Sequence, residues 1–415
     1  MAAVNTKATL DTMFKYKMAD SVNNLVPTCA IVQKMTPKLS SATKTGRAFL
    51  WPVALTYENG VTYGDGTAFT YNAAVSGVYE EISIDSNPCV LRSQVSIAAA
   101  NRMANSEETF ITHMSLRSGN MKESLTKRAE ISSLYGKSGL GTISGNPTVN
   151  TTPNPDQATI VFTDATWAPG IWGGMEGSLL EVRNGASLVN ANGDLTLVSV
   201  DYDAKSIVVS GDNTDLTDLA DGYKVFFKGS YANDFYGIDY QLSNTGELFG
   251  IDAATYQLWK ANSSAVTGAL TMSKILKGVA KAVAKGGLSE DCTLLVSSLT
   301  WEGINSDLGA LRTVDSSYKV TKGENGVTGI EFHCQAGTIK VVGHPMVKEG
   351  EAFLIPNKGL KRIGASEISF GFGDGEYFEK LEGSAGYQLV AQYDWCILVE
   401  KPARCVKYTG ITNAA

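Results

Sequence analysis

The sequence is short of the residues on which most enzymes and metal proteins depend. Its 415 residues hold three histidines, His113, His333 and His344. No two have the spacing of a metal pair, and none accompanies a Gly-x-Ser-x-Gly nucleophile elbow. The six cysteines (Cys29, Cys89, Cys292, Cys334, Cys396 and Cys405) are scattered without a Cys-x-x-Cys pair. Reduced thiols are therefore expected, rather than a disulfide scaffold or a zinc site. No apolar run approaches the roughly 18 residues that span a bilayer, so no membrane association is expected. A basic-then-apolar leader is also missing, which favours cytosolic synthesis. Proline is scarce at 11 against 42 glycines, so the glycines serve turns rather than disorder.

Three short motifs imitate active chemistry and lack its context. Gly136-Lys137-Ser138 resembles the end of a phosphate-binding loop, but Ile131 stands where the loop needs glycine, and a helix ends there instead of beginning. Gly371-Phe372-Gly373-Asp374-Gly375 leads into another strand pattern and reads as a turn. Asp212, Asp215, Asp218 and Asp221 could hold calcium, yet the ligand order and central glycine of an EF-hand are missing, and a solvated acidic loop fits better. No cofactor, metal or catalytic residue is assigned, and the chain is not expected to be an enzyme.

What is present is segregated charge and long, weakly self-covering elements. At 415 residues, two to four structural units are expected. The net charge of −7 argues weakly against a dedicated nucleic-acid binder. Residues 1–47 carry seven Lys or Arg against two acids, residues 48–86 five acids and no base, and residues 146–230 eleven acids against four bases. Such blocks suit segments that meet other copies or face solvent.

Residues 1–45 have weak periodicity, with a short helix expected only around 10–16, and read as an extended arm. Residues 48–86 read as a long β-hairpin. Phe49, Trp51, Val53, Leu55 and Tyr57 alternate at the strand period, and Asn59-Gly60 is a strong turn signal. Val61-Thr62-Tyr63, the turn Gly64-Asp65-Gly66, then Phe69 and Tyr71 follow. Residues 105–135 give a long helix of roughly 45 Å, opened by an Asn105/Glu108 capping box. Its apolar stripe runs through Phe110, Ile111, Met114, Met121, Leu125, Ala129 and Tyr135, and Gly136 is a left-handed stop. Arg117, Lys122, Lys127 and Arg128 lie on or beside its polar side, and half of such a rod is expected to be uncovered in a lone subunit.

Beyond a Gly/Asn/Thr/Pro junction at 145–155, short strands at 159–162, 179–183, 195–200, 206–210 and 223–228 predict a small inserted β-barrel or sandwich. Residues 233–365 alternate in type. Helices are expected near 252–261, after Thr271, and at 300–311, with strands at 292–297, 329–333, 338–342 and 351–355. Strands at 367–372, 376–380, 388–393 and 396–401 are expected to complete a sheet.

In this order (arm, hairpin, strut helix, inserted β module, α+β unit, returning strands) the chain resembles the Hong-Kong-97-like capsid proteins of tailed phages. Ile171-Trp172-Gly173-Gly174-Met175-Glu176-Gly177, leading into Val198-Ser199-Val200-Asp201, looks like the β insertion of many such coat proteins. Ala254-Thr255-Tyr256-Gln257-Leu258-Trp259-Lys260-Ala261 is similar to their Tyr-Pro-x-Trp segment, without the proline. Val342-Gly343-His344-Pro345 and Ala352-Phe353-Leu354-Ile355 look like two strands joined by a proline turn.

The resemblance implies an α+β fold with an N-arm (1–47), E-loop (48–86), P-domain (87–145) with its spine helix, inserted β domain (146–232), A-domain (233–365) and returning P-domain strands (366–415). It implies pentamers and hexamers closing into an icosahedral head around double-stranded DNA bound without sequence specificity. Scaffolding and portal proteins, and in some relatives a cement protein, would be partners; assembly would occur in the host cytoplasm. Inter-subunit contacts would fall on Trp51, Tyr57, Glu58, Asn59, Tyr63, Asp65, Phe69 and Tyr71 of the hairpin and on Lys34, Lys38, Lys44 and Arg47 of the arm. Some relatives weld the E-loop through a lysine. Here no lysine lies between Lys44 and Lys122, so no such cross-link is expected. An encapsulin-type shell and a β-rich surface-binding protein are the alternatives.

Overall fold

The computed structural model describes residues 29–37, 48–85, 88–96, 107–306, 320–322, 328–371, 378–380 and 386–413. Lys38, Lys44, Arg47, the expected helix at 10–16 and the capping residue Asn105 lie outside the described residues.

The long helix Glu107–Tyr135 packs on the sheet built on the strand Gly386–Val399, and its C-terminal end touches the other two sheets' modules through Lys127 with Gly173 and Tyr135 with Phe353. Beyond its end, the inserted module is an antiparallel sheet in the order Gly141–Thr142, Lys224–Phe227, Leu179–Asn184, Leu195–Asp201, Ser206–Ser210, Gln157–Val161 and Thr148–Asn150. An antiparallel bridge between Ile143 and Phe162 joins the first of these strands back to the sixth, so six strands close into a barrel. Of the two architectures expected from the spacing, the barrel is the one formed. Alternating apolar positions fill it: Ile160, Leu180, Val182, Leu195, Leu197, Ile207, Val209 and Val225 are buried. Phe162 stacks on Trp172 at 5.0 Å and leans on Trp167 at 5.8 Å, which closes one end.

A seven-stranded mixed sheet runs Asn262–Gly268, Val406–Ile411, Glu351–Pro356, Cys292–Val296, Gly337–Gly343, Thr328–Cys334, Val320–Lys322. Two of its pairings are parallel, Asn262–Gly268 with Val406–Ile411 and Cys292–Val296 with Gly337–Gly343. The helix Met272–Gly286 covers it with Ile275, Val279 and Ala282, and ends on left-handed Gly287. Thr271 occupies the expected cap position, but its side chain makes no capping hydrogen bond.

The third sheet is built on the 14-residue strand Gly386–Val399, antiparallel to Cys89–Ser96, Leu360–Phe370 and Phe378–Lys380. Two expectations are corrected here. The segments 388–393 and 396–401 are one continuous strand, because nothing in Asp394-Trp395 turns the chain. The last strand, Val406–Ile411, does not return to this sheet. It enters the middle of the seven-stranded one, where Val406, Tyr408 and Ile411 are buried.

The helix expected at 252–261 is absent. Ile251–Asp252 is a short strand, Asp252 accepts from the Ala254 and Thr255 amides as a turn, and only Gln257–Trp259 forms a 3-10 turn. Gly136 is not the left-handed stop: Lys137 carries the positive φ, 61°. Gly136 is required for close approach, since a Cβ there would overlap the carbonyl oxygen of Phe235, while Gly237 N–H donates to the Gly136 carbonyl at 3.0 Å.

Candidate functional site

The base of the hairpin is a two-stranded ribbon, Phe49–Ala54 against Tyr79–Ile84, with Trp51 opposite Ile82. The period of two places Phe49, Trp51 and Val53 on one face, packed against the chain's own core. Trp51 is partly buried there. Beyond Ala54 the ladder stops, and Asn59-Gly60 is not the turn. The chain runs out and back through scattered bonds instead: the backbone pairs Leu55 N–H to the Val78 carbonyl and Asn59 N–H to the Val75 carbonyl, then the side-chain bonds from Asn72 N–H to Thr62 Oγ1 and from Asn72 Nδ2 to the Val61 carbonyl. The reversal comes at Asp65, whose carboxylate accepts from Thr67 N and Oγ1, with Gly66 at φ 89°. Those two bonds hold the Asp65 carboxyl below its ordinary range, the Thr67 hydroxyl contributing most.

Little of this outer loop is covered. Tyr57, Tyr63 and Tyr71 are 88%, 92% and 82% exposed, Phe69 is half exposed, and Glu58 and Asn59 face solvent. Phe69 and Tyr71 meet edge to face at 5.8 Å, which orders the rings without burying them. Solitary exposed apolar residues are ordinary, but several large rings on one arm are the composition of an interface.

The arm segment is tied down chiefly at Glu130. Ile31–Met35 forms a short helix whose Val32 and Gln33 N–H groups donate to the two oxygens of the Glu130 carboxylate, at 2.6 and 3.2 Å. Gln33 Nε2 also reaches the Thr126 carbonyl at 2.8 Å. Lys34 points to solvent. His344 Nε2 lies 3.0 Å from Glu130 Oε1 and 3.6 Å from Cys29 Sγ, and both His344 and Glu130 are fully buried.

A thiol, an imidazole and a carboxylate this close invite two chemical readings, and one contact excludes both. Met346 N–H donates to His344 Nδ1 at 3.1 Å. Nδ1 therefore presents a lone pair, and the ring proton sits on Nε2, facing Glu130. An Nε2–H cannot ligate a metal. With thiol and acid converging on one nitrogen, no acid–imidazole–thiol relay exists either. The cluster is a lock: the His344 turn and the arm helix both donate to one buried carboxylate on the long helix. Sequence reading missed it because Glu130 sits in a helix among charged residues, and nothing local marks it as buried.

The four basic residues of the long helix have separate fates. Arg117 Nη1 donates to the Gln94 carbonyl at 3.2 Å, and Lys122 is exposed. Lys127 is not on a polar face: it is 1% exposed and donates to the Gly173 carbonyl. Burial lowers its pKa to about 8, against the opposing pull of Glu176. Arg128 turns inward and lays its guanidinium over the Phe227 ring, 3.4 Å from the centroid.

The acidic residues of the barrel do not converge. Asp212 caps Thr214 N–H, Asp215 is buried against Asn192, and Asp221 accepts from Gly145 N–H. Among the described residues, Cys29, Glu130 and His344 form the one grouping of three metal-type side chains. His333 is a surface partner of Thr338. No helix of the described residues is long and apolar enough to cross a membrane.

No family model matches the sequence, and no curated protein matches it. Solved structures do match along its whole length. The capsid asymmetric unit of cyanophage A-1(L) superposes with a TM-score of 0.57 at 10% identity, covering 99% of this chain and 100% of that one. The capsid of a native GTA particle gives 0.53 at 7% identity, with 99% and 100% covered, and that of an empty GTA particle gives 0.52 at 7%, with the same coverage. From the arm segment to the last strand, this chain shares its α+β fold with these capsid subunits.

Proposed function

We propose that the chain is the major capsid protein of a tailed phage, assembling as pentamers and hexamers into an icosahedral head that encloses double-stranded DNA. The observation that carries this reading is the outer loop 55–78. It holds four aromatic rings and two carboxylates in solvent, without a base, on a chain whose whole length takes a capsid fold. Burying those rings against a second copy gives association its driving force, since each ring removes roughly 150–250 Å² of surface.

In this reading residues 1–47 are the arm, 48–86 the E-loop, 87–145 with the long helix the P-domain, 146–232 the inserted barrel, and 233–365 the A-domain. Lys34, Lys38, Lys44 and Arg47 supply the positive field that meets the acidic loop of a neighbour. The head resides in the virion after assembly in the host cytoplasm, with scaffolding and portal proteins as partners and, as in some relatives, room for a cement protein. DNA needs no specific contact with an acidic wall.

Negative-stain microscopy of the expressed chain tests this: rings, caps or closed shells are expected, and a persistent monomer at high concentration overturns it. Particles that enclose protein instead of DNA would point to the encapsulin alternative. Because the hairpin has no lysine, boiled heads are expected to run as a monomer band. A covalent ladder would show that the loop is welded by other chemistry.

A further inference from the structure

Arg128 is the one basic residue of the long helix that is enclosed and still lacks an acceptor. Its guanidinium lies flat over Phe227. Among the described residues no carboxylate or carbonyl accepts from its five N–H groups. The nearby acid, Asp234, has its oxygens engaged elsewhere: Oδ2 accepts from Ser132 and Ser230, and Oδ1 from Phe235 N–H. Arg128 lines a cleft of about 470 Å³ together with Phe227, the ring it covers. The strand at Cys89, the long helix and the barrel edge wall this cleft, with Leu91, Leu125, Leu179 and Phe235 as apolar lining. Lys228, at its rim, is paired with Asp194 at 2.6 Å. The cleft therefore presents a planar cation whose N–H groups meet no acceptor, with Asp234 as its charged neighbour and walls part apolar and part polar, and a carboxylate carried on an apolar or aromatic segment can supply the missing acceptor.

The chain itself supplies such a segment. The outer loop 55–78 carries Glu58 and Asp65 among exposed tyrosines, with no base between residues 48 and 86. We infer that the Arg128 cleft receives a carboxylate of the outer loop of a second copy, Glu58 or Asp65, with a loop ring packed against the cleft's apolar wall. This deepens the shell-forming reading and rests on it.

A double-mutant cycle on assembly tests the inference. The variants are Arg128→Gln, the loop pair Glu58→Gln with Asp65→Asn, and all three together. The readout is the subunit concentration at half-assembly by light scattering, with thermal melting of the subunit as the check on folding. Each arm alone is expected to raise that concentration at least about tenfold. The combined variant is expected to be no worse than Arg128→Gln alone. Losses that simply add overturn the pairing.

If Arg128→Gln fails to melt cooperatively, wild-type shells built from mixed light and heavy isotope-labelled chains can be treated with a zero-length carbodiimide and mapped. A heavy–light link from Lys228 to Glu58 or Asp65 is expected. Its absence, or coupling of Lys228 to Asp11 or Asp20 instead, overturns the inference. A wild-type chain that never assembles removes the shell reading and this inference together, whereas normal shells with additive losses remove the inference only.

Discussion

Replacing Glu130 by glutamine should release the arm segment from the body while leaving the body folded. The carboxylate faces donors only: Val32 N–H and His344 Nε2–H at Oε1, Gln33 N–H at Oε2. A glutamine amide fits no orientation of that ring of donors. With its oxygen in the Oε1 position it keeps two bonds, now uncharged, and sets its NH2 against the Gln33 amide. The opposite flip loses two bonds instead of one. A lost buried bond costs about 1–3 kcal/mol, and the two survivors weaken by about 1 kcal/mol between them, set against some relief from burying a charge. The net is about 2 kcal/mol, carried almost wholly by residues 29–37. Besides the carboxylate, that segment is held chiefly by buried Val32 and by the Arg362 N–H donating to the Pro37 carbonyl.

Native-state hydrogen exchange reads this directly. The Val32 and Gln33 amides should exchange about 30-fold faster, while amides of the strand Cys292–Val296 keep their rate. Cleavage by a protease near Lys34 should accelerate in parallel. Unchanged exchange at Val32 would refute the reasoning, because it would mean that packing alone holds the segment and the carboxylate is incidental.

Three further outcomes follow from buried charge and close packing. Burial holds the Asp234 carboxyl above its ordinary range, opposed by its bonds to Ser132, Ser230 and Phe235 and by Arg128. The folded state then binds a proton more readily than the unfolded one, so stability falls as pH rises from about 4 through the folded value. Asp234→Asn keeps the bonding, with Nδ2 donating to the two serines. It should give a higher urea midpoint than wild type near pH 7, with the gap closing near pH 4; a lower midpoint contradicts this. Lys407 donates to Asp239, to Ser243 at 2.9 Å and to Glu351 at 3.0 Å. Lys407→Met strands two carboxylates and should destabilise by about 3–5 kcal/mol in a urea melt. Gly278→Ala, ordinarily favourable inside a helix, should cost about 1–3 kcal/mol because the new methyl overlaps the Tyr408 ring and hydroxyl, which donates to the Ile275 carbonyl. A raised melting temperature would contradict it.

What could be read from the residues alone was whatever local periodicity decides. Alternation at 49–53 predicts the ribbon, the apolar run at 292–297 a buried strand and the pattern at 338–342 a further strand, because each is decided within a few residues. What failed depends on partners far along the chain. The Asn59-Gly60 signal is sound as local chemistry, yet Asn72 and Val75 hold the loop open beyond it. Gly136 carries the composition of a helix stop, but the chain it must admit is a hundred residues away at Phe235–Gly237. The fate of Val406–Ile411 is set by Asn262–Gly268 and Glu351–Pro356, which no nearby residue announces. Among site residues, the exposed loop aromatics were legible from the lack of any local cover, whereas Glu130 and His344 were not. A buried carboxylate is recognisable only by the donors that surround it.

The long helix shows why the difference matters for assembly. Its apolar stripe suggests a rod covered along one side; from residue 117 onward the cover changes along its length instead. From Leu125 to Tyr135 nearly every residue is buried, polar ones included: Lys127, Glu130, Ser132 and Ser133 all lie below 7% exposure and find bonds inside. From Gly119 to Glu123 the turn is open apart from Met121. A helix covered on one side can tilt or roll against its cover. One that is plugged at its end by the arm segment, the barrel loop at Gly173 and the His344 turn cannot do either without breaking buried bonds. The open turn Gly119–Glu123 is therefore carried on a fixed base. What a second copy would meet there is a helix held by buried bonds, so the free energy of association need not include ordering of that helix.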